Sequence, residues 1–336
     1  MKISQTVRYL GDIISASSSL GPCIEDRRSK GWGKVSELKG IISELPEIRR
    51  IEIGLKLREA KVHNGILYNS EAWSNVSDAD MERLEQVSTA ALRALVDGHA
   101  KCSKAFYYLE FGAPLVRHIV MVRRFMYHHH ILTRNESEMI QKVYYKQKAC
   151  PTKGDWFKII QKDFVTIGEP IDEESIRNTP KEVYRKYIQK KVQNAAFKHL
   201  IDMKQQCKKK MSNLSYEKHE IQPYMVSSMF NLQEIKLLFS LRSKCFSAKM
   251  NFSKLNRGNL RCSFLCDSDE TQDHIFENCD PIRQRIGYPH SVNLNHIYGS
   301  IEEQYNIIKI LTRINNARNL MKQDILPGGF LASTPL

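Results

Sequence analysis

Apolar residues recur every three or four positions through most of this chain, and that period predicts helices. The clearest stripe lies in VSDADMERLEQVSTAALRALVDG, where Met81, Leu84, Val87, Ala91, Leu92 and Leu95 share one face. Ser77 or Asp78 stands where an N-cap is preferred, and Gly98 where a left-handed residue closes a helix. A second stripe follows Pro46, with Ile48, Ile51, Leu55, Val62 and Ile66 spaced by three, four or seven. Residues 115–133, 231–246 and 303–321 predict further helices, and Thr179-Pro180 opens a long one that runs to about Lys210. Only VRYLGDII, residues 7–14, reads as a short strand, broken at Gly11. The expected fold is mainly α, with no internal repeat and with a tail, PGGFLASTPL, too rich in small residues and prolines to order.

Charge sharpens this picture. The 336 residues carry a net charge of +14. Between Lys181 and Arg261 there are 18 Lys and Arg against 5 Asp and Glu, so one segment holds nearly all the excess. A field of that kind favours a polyanion, and RNA or DNA is the expected partner. The candidate contacts are Lys186, Lys190, Lys191, Lys204, Lys208, Lys209 and Lys210. On a helix Lys186, Lys190 and Lys204 fall on one side, whereas three consecutive lysines must spread. No apolar run approaches the ~18 residues of a membrane span, and the first residues show no apolar signal-peptide core. Five of the eight cysteines have no mutual spacing, which predicts reduced thiols and an intracellular, membrane-free setting.

Candidate chemistry is concentrated in CSFLCDSDETQDHIFENC. Cys262, Cys266, His274 and Cys279 are spaced C-x3-C-x7-H-x4-C, a set that suits tetrahedral Zn²⁺. All four positions are filled, so the expected cofactor is a structural zinc rather than a catalytic one. Asp267, Asp269, Glu270, Asp273 and Glu277 make this module acidic. It is therefore expected to act as a staple, with Phe264 and Phe276 packed inward and the acids facing solvent or clasping the basic helices. No phosphate-binding loop, nucleophile elbow or adjacent Asp pair occurs, and no catalytic residue is assigned. Glu234-Ile235-Lys236 resembles half of a nuclease signature but lacks its upstream aspartate. His128, His129 and His130 point ~100° apart on a helix and cannot converge on one ion, so they are expected to pack or lie at the surface.

The order of YLG (9–11), LYNSEAW (67–73), LRALV (92–96), YYLEFGAPL (107–115), PTKGDW (151–156) and the cysteine array resembles the C-terminal part of LINE-like, non-LTR retrotransposon reverse transcriptases. That resemblance spans roughly residues 5–320. It implies a remnant strand after the polymerase palm (1–20), a helical thumb (21–134), a basic helical connector (135–250), a zinc knuckle with a last helix (251–322) and a tail (323–336). Asn69 departs from the glycine usual there. The palm with its Asp-Asp pair would lie upstream of the strand, so the chain is expected to bind nucleic acid without polymerising. The alternative is a zinc-stapled interaction module of retroelement origin that contacts an acidic protein.

Overall fold

The computed structural model describes residues 6–9, 12–17, 19–74, 76–152, 154–207, 211, 213–248, 260–287 and 292–325. Gly11, Lys208, Lys209, Lys210 and the tail after residue 325 lie outside the described residues. The chain is mainly helical, as its periodicity predicts, with a small sheet at the N-terminus. It divides into two units: residues 1–95, 107–206 and 216–221 form one, and residues 96–106, 207–215 and 222–336 the other. Among the described residues no helix is long and apolar enough to cross a membrane.

The expected single strand is two. β1 (Thr6–Tyr9) and β2 (Asp12–Ser15) pair antiparallel, with Val7 opposite Ile14. A carboxylate ties the pair down. Asp12 accepts from Arg27 at 2.5 Å and from the Asn69 side chain at 2.9 Å. Arg27 comes from α1 (Gly21–Glu44), a helix whose weak apolar stripe, interrupted by Arg27 and Gly31, hides it from periodicity. Gly31 is required there, because a Cβ would meet Ile66 at 2.7 Å and Val87 at 2.8 Å. Asn69 sits at φ 56°, in the left-handed region that asparagine tolerates better than most residues.

After α2 (Arg50–Leu57) the helix widens into a π-turn, Arg58–His63. This turn brings Arg58 and His63 to Ser88 on α3 (Asp78–Val96). Arg58 donates to the Ser88 hydroxyl at 2.6 Å, and Tyr108 of α4 (Lys104–Glu110) donates at 3.1 Å. Both lone pairs are then used, so the Ser88 hydrogen goes to His63 Nε2 at 3.0 Å. That assignment requires a neutral imidazole, and burial holds His63 well below its ordinary range. The α3 cap is as expected: Asp80 N–H donates to Ser77 Oγ at 3.1 Å. Its end is not, since Asp97 rather than Gly98 takes the left-handed conformation, at φ 47°.

The other helices of the first unit are α5 (Val116–Leu132), α6 (Met139–Ala149), α7 (Trp156–Ile167), α8 (Glu173–Asn178) and α9 (Lys181–Gln206). Phe125, Phe164, Ile160, Ile188 and Val192 join their faces in one apolar cluster. Inside it Arg124 forks onto Asp163, at 2.6 and 2.9 Å. Trp156 donates its indole N–H to the Glu71 carbonyl at 2.8 Å, so the PTKGDW stretch clasps LYNSEAW. Two of the three consecutive histidines pack inward: His128 meets the Tyr144 hydroxyl at 2.8 Å and His129 the Thr179 carbonyl at 2.9 Å, while His130 is exposed. The second unit holds α10 (Pro223–Val226), α11 (Leu232–Arg242), α12 (Asp280–Ile286) and α13 (Ile301–Ile325). Glu234, the half-signature residue, caps α11 with Asn231 and accepts from Lys309 at 2.6 Å, so its carboxylate is spent on structure.

Burial holds the His128 imidazole down to about 4 and that of His118, also on α5, to about 3. Both lie below the unfolded value of about 6.5. Between these limits the unfolded chain binds more protons than the folded one, so stability falls as pH drops below about 6.5. Acidification from pH 7 to 5 is expected to lower the urea midpoint of the first unit, and His128→Gln to flatten that dependence. A midpoint constant over this interval would contradict the neutral-histidine core.

Candidate metal centre and basic helix face

The cysteine array folds as two turns. In the first, Cys262 N–H donates to the Ser268 carbonyl at 2.9 Å and Glu270 N–H to the Leu260 carbonyl at 2.7 Å, flanking an Arg261–Asp269 bridge. In the second, Thr271 Oγ1 accepts from His274 N–H at 2.9 Å and opens a π-turn, His274–Asn278, that carries the chain to Cys279 and α12. These turns bring all four predicted residues together: the ligand atoms of Cys262, Cys266, His274 and Cys279 lie within 4.8 Å of one another.

The Cys262–Cys279 and Cys266–Cys279 sulphur separations are 3.9 and 3.8 Å. A disulfide would need about 2.05 Å. A tetrahedron with metal–sulphur bonds of ~2.3 Å has edges of about 3.8 Å, so the spacing is that of thiolates around one ion. Among the described residues His274 Nε2, which is buried, has no hydrogen-bond partner, a lone pair that a metal would satisfy. Burial and the neighbouring thiols push the Cys279 thiol far up, and burial raises Cys266 as well. A bound cation reverses that preference and takes the thiolates. Burial lowers His274, which keeps its ring in the neutral form a ligand needs. The cluster can therefore hold a metal ion.

Phe264 and Phe276 are buried, as expected of a staple, and Phe276 meets Phe246 edge-on at 5.0 Å. The acids divide. Asp267, Asp269 and Asp273 are exposed, but Glu277 accepts from Leu294 N–H at 2.9 Å, and Glu270 is fully buried. Burial alone would raise the Glu270 carboxyl. The hydrogen bonds from Ser263 and the charges of Lys322 and Arg318 overcome it and hold the group at about 2. Nothing in the local sequence marks Glu270 off from its acidic neighbours, because the cations that draw it inward arrive about fifty residues later, on α13.

The second candidate region is α9. Its buried residues, Tyr184, Ile188, Val192, Ala196 and Leu200, follow a spacing of four and face the helical core. Lys186 and Lys190 are exposed on the opposite face, and Lys204 is partly covered. Lys198, not among the predicted contacts, is also exposed; it is turned about 120° around the helix from Lys186 and falls on the side of Lys191, seven residues before it. Among the described residues none of these four pairs with a carboxylate. Lys191 differs: its ammonium pairs with Glu169 and lies 5.4 Å from the Tyr187 ring.

No family model, curated protein or solved structure matches the chain.

Titration of the full chain with Co²⁺ is expected to show one equivalent bound, with a thiolate-to-metal absorption band that Cys279→Ser abolishes. Binding without that band would rule out the Cys3His centre.

Proposed function

We propose that this chain binds nucleic acid through the outward face of α9, while Zn²⁺ at Cys262, Cys266, His274 and Cys279 staples the C-terminal unit. In this reading it is the C-terminal part of a LINE-like, non-LTR retrotransposon reverse transcriptase. It contributes affinity for template RNA or target DNA rather than the polymerising centre.

One observation carries the reading. The outward surface of α9 presents Lys186, Lys190 and Lys198, with Lys204 partly covered, and among the described residues none of the four is ion-paired, although exposed Asp202 lies between the last two. At a rise of 1.5 Å per residue these lysines span about 27 Å of helix axis. Cations left unpaired on a long, straight surface release counterions when a phosphate backbone replaces them, and that release supplies sequence-independent affinity. The metal centre supports the same division of labour. Three thiolates and one neutral histidine around Zn²⁺ carry a net negative charge, and exposed Asp269 adds to it, while Asp267 and Asp273 are offset by Arg261 and Lys244. Such a centre offers phosphate no excess positive charge, so the knuckle serves the fold and the lysines serve the ligand.

Each phosphate contact removed should flatten the log–log salt dependence of binding by about 0.7 on a single strand and about 0.9 on a duplex. Replacement of Lys186, Lys190, Lys198 and Lys204 by Gln is therefore expected to lower the slope by up to about 3, read by fluorescence anisotropy on a generic labelled RNA across a salt series. Lys191→Gln should change the slope less, because Glu169 already holds that ammonium. An unchanged slope in the fourfold variant would sink the basic-face reading. Tight, salt-insensitive binding of an acidic protein would favour the interaction module instead.

A further inference from the structure

We propose that Glu270 and Arg318 form a buried outer clamp that positions the metal ligands and sets the metal affinity of the Cys3His centre. The inference rests on the metal reading above and concerns residues that do not touch the ion.

Glu270 lies between the two ligand pairs in sequence and reaches both by different routes. One carboxylate oxygen accepts from the Ser263 N–H at 3.1 Å and from the Ser263 hydroxyl. Ser263 follows the ligand Cys262 directly, so this contact fixes the turn that presents Cys262 and Cys266. The other oxygen accepts from Arg318 at 3.1 Å and from Lys322 at 3.4 Å. Arg318 also donates to the Ser247 carbonyl at 2.6 Å, and its guanidinium lies 5.0 Å from the Phe246 ring. Phe246 in turn packs on Phe276, which sits between the ligands His274 and Cys279. Through one ion pair and one aromatic pair, α13 holds both halves of the ligand set.

Glu270 is 0% and Arg318 2% exposed, so neither group has water to fall back on. Without Glu270 the Ser263 N–H and the Arg318 guanidinium each lose a partner. Without Arg318 the carboxylate keeps Ser263 and the longer contact to Lys322 but loses its closest cation, beside a centre whose three thiolates already outweigh the ion's charge. Either loss loosens the turn before the metal arrives. Partners that orient ligands from outside typically set metal affinity over roughly 10- to 100-fold.

The test is a Co²⁺ titration of the full chain against a competing chelator. Glu270→Gln and Arg318→Met are each expected to weaken Co²⁺ binding roughly 10- to 100-fold while the absorption spectrum of the saturated protein stays that of the parent, since the four ligands are unchanged. The double variant should lose much less than the product of the two. Arg318→Lys should recover most of the affinity. Lysine and methionine fill similar volume, so a packing role alone would not separate them. Should Glu270→Gln fail to fold, Ser263→Ala removes only one hydroxyl from the clamp and should weaken binding in the same direction. Affinities within about twofold of the parent in the folded variants would overturn the clamp and leave the centre standing. A parent chain without the thiolate band would overturn the centre and the clamp with it.

Discussion

A buried charge must be answered by another, and the C-terminal unit is organised around one such demand. Glu270 has no exposed surface, and its partners are drawn from the turn at Ser263, beside the candidate ligand Cys262, and from α13 at Arg318 and Lys322. Breaking a buried pair from one side costs about 3–5 kcal/mol, because the survivor is stranded. That penalty makes the register of α13 against the knuckle specific in a way that apolar contacts alone would not. Ile308, Leu311 and Ile314 supply the burial on the same helix, and Arg318 fixes where along its length it sits.

The first unit meets the same constraint with different chemistry. Arg124 and Asp163 form a two-pronged pair on facing helices, and burial raises the Asp163 carboxyl even so, a sign of how much desolvation the guanidinium must offset. Ser88 shows the neutral version: one hydroxyl accepts from Arg58 and Tyr108 and donates to His63, so three segments are held in place through a single oxygen. The π-turn is what allows this. An uninterrupted α-helix through residues 58–63 would rotate His63 away from the face that Arg58 shares with it.

Four of the α9 lysines contrast with these groups: Lys191 has Glu169 and Tyr187, whereas among the described residues Lys186, Lys190, Lys198 and Lys204 have no ion-pair partner. Solvated cations add little to stability. Their side-chain freedom and uncompensated charge suit a flexible polyanion, and this difference in pairing separates a candidate ligand surface from a structural one on the same helix.

Period and spacing by themselves determined a mainly helical chain, the stripe of α3, the inward packing of Phe264 and Phe276, and the four residues of the Cys3His cluster that could hold a metal ion. These are local properties: a helix stripe needs only residues three and four apart, and the cysteine array closes within eighteen residues. The tertiary structure alone decided the rest. Strand pairing converted one expected strand into a hairpin anchored by Asp12, and helix packing ordered α1 despite its weak stripe and its glycines. The same level of organisation took Glu270 out of an acidic loop and buried it, and it brought Lys309 to Glu234, which already caps α11 locally with Asn231. For these two carboxylates the cations lie about fifty and seventy-five residues away, and a carboxylate's exposure depends on whether such a distant cation comes to meet it, which no local pattern encodes.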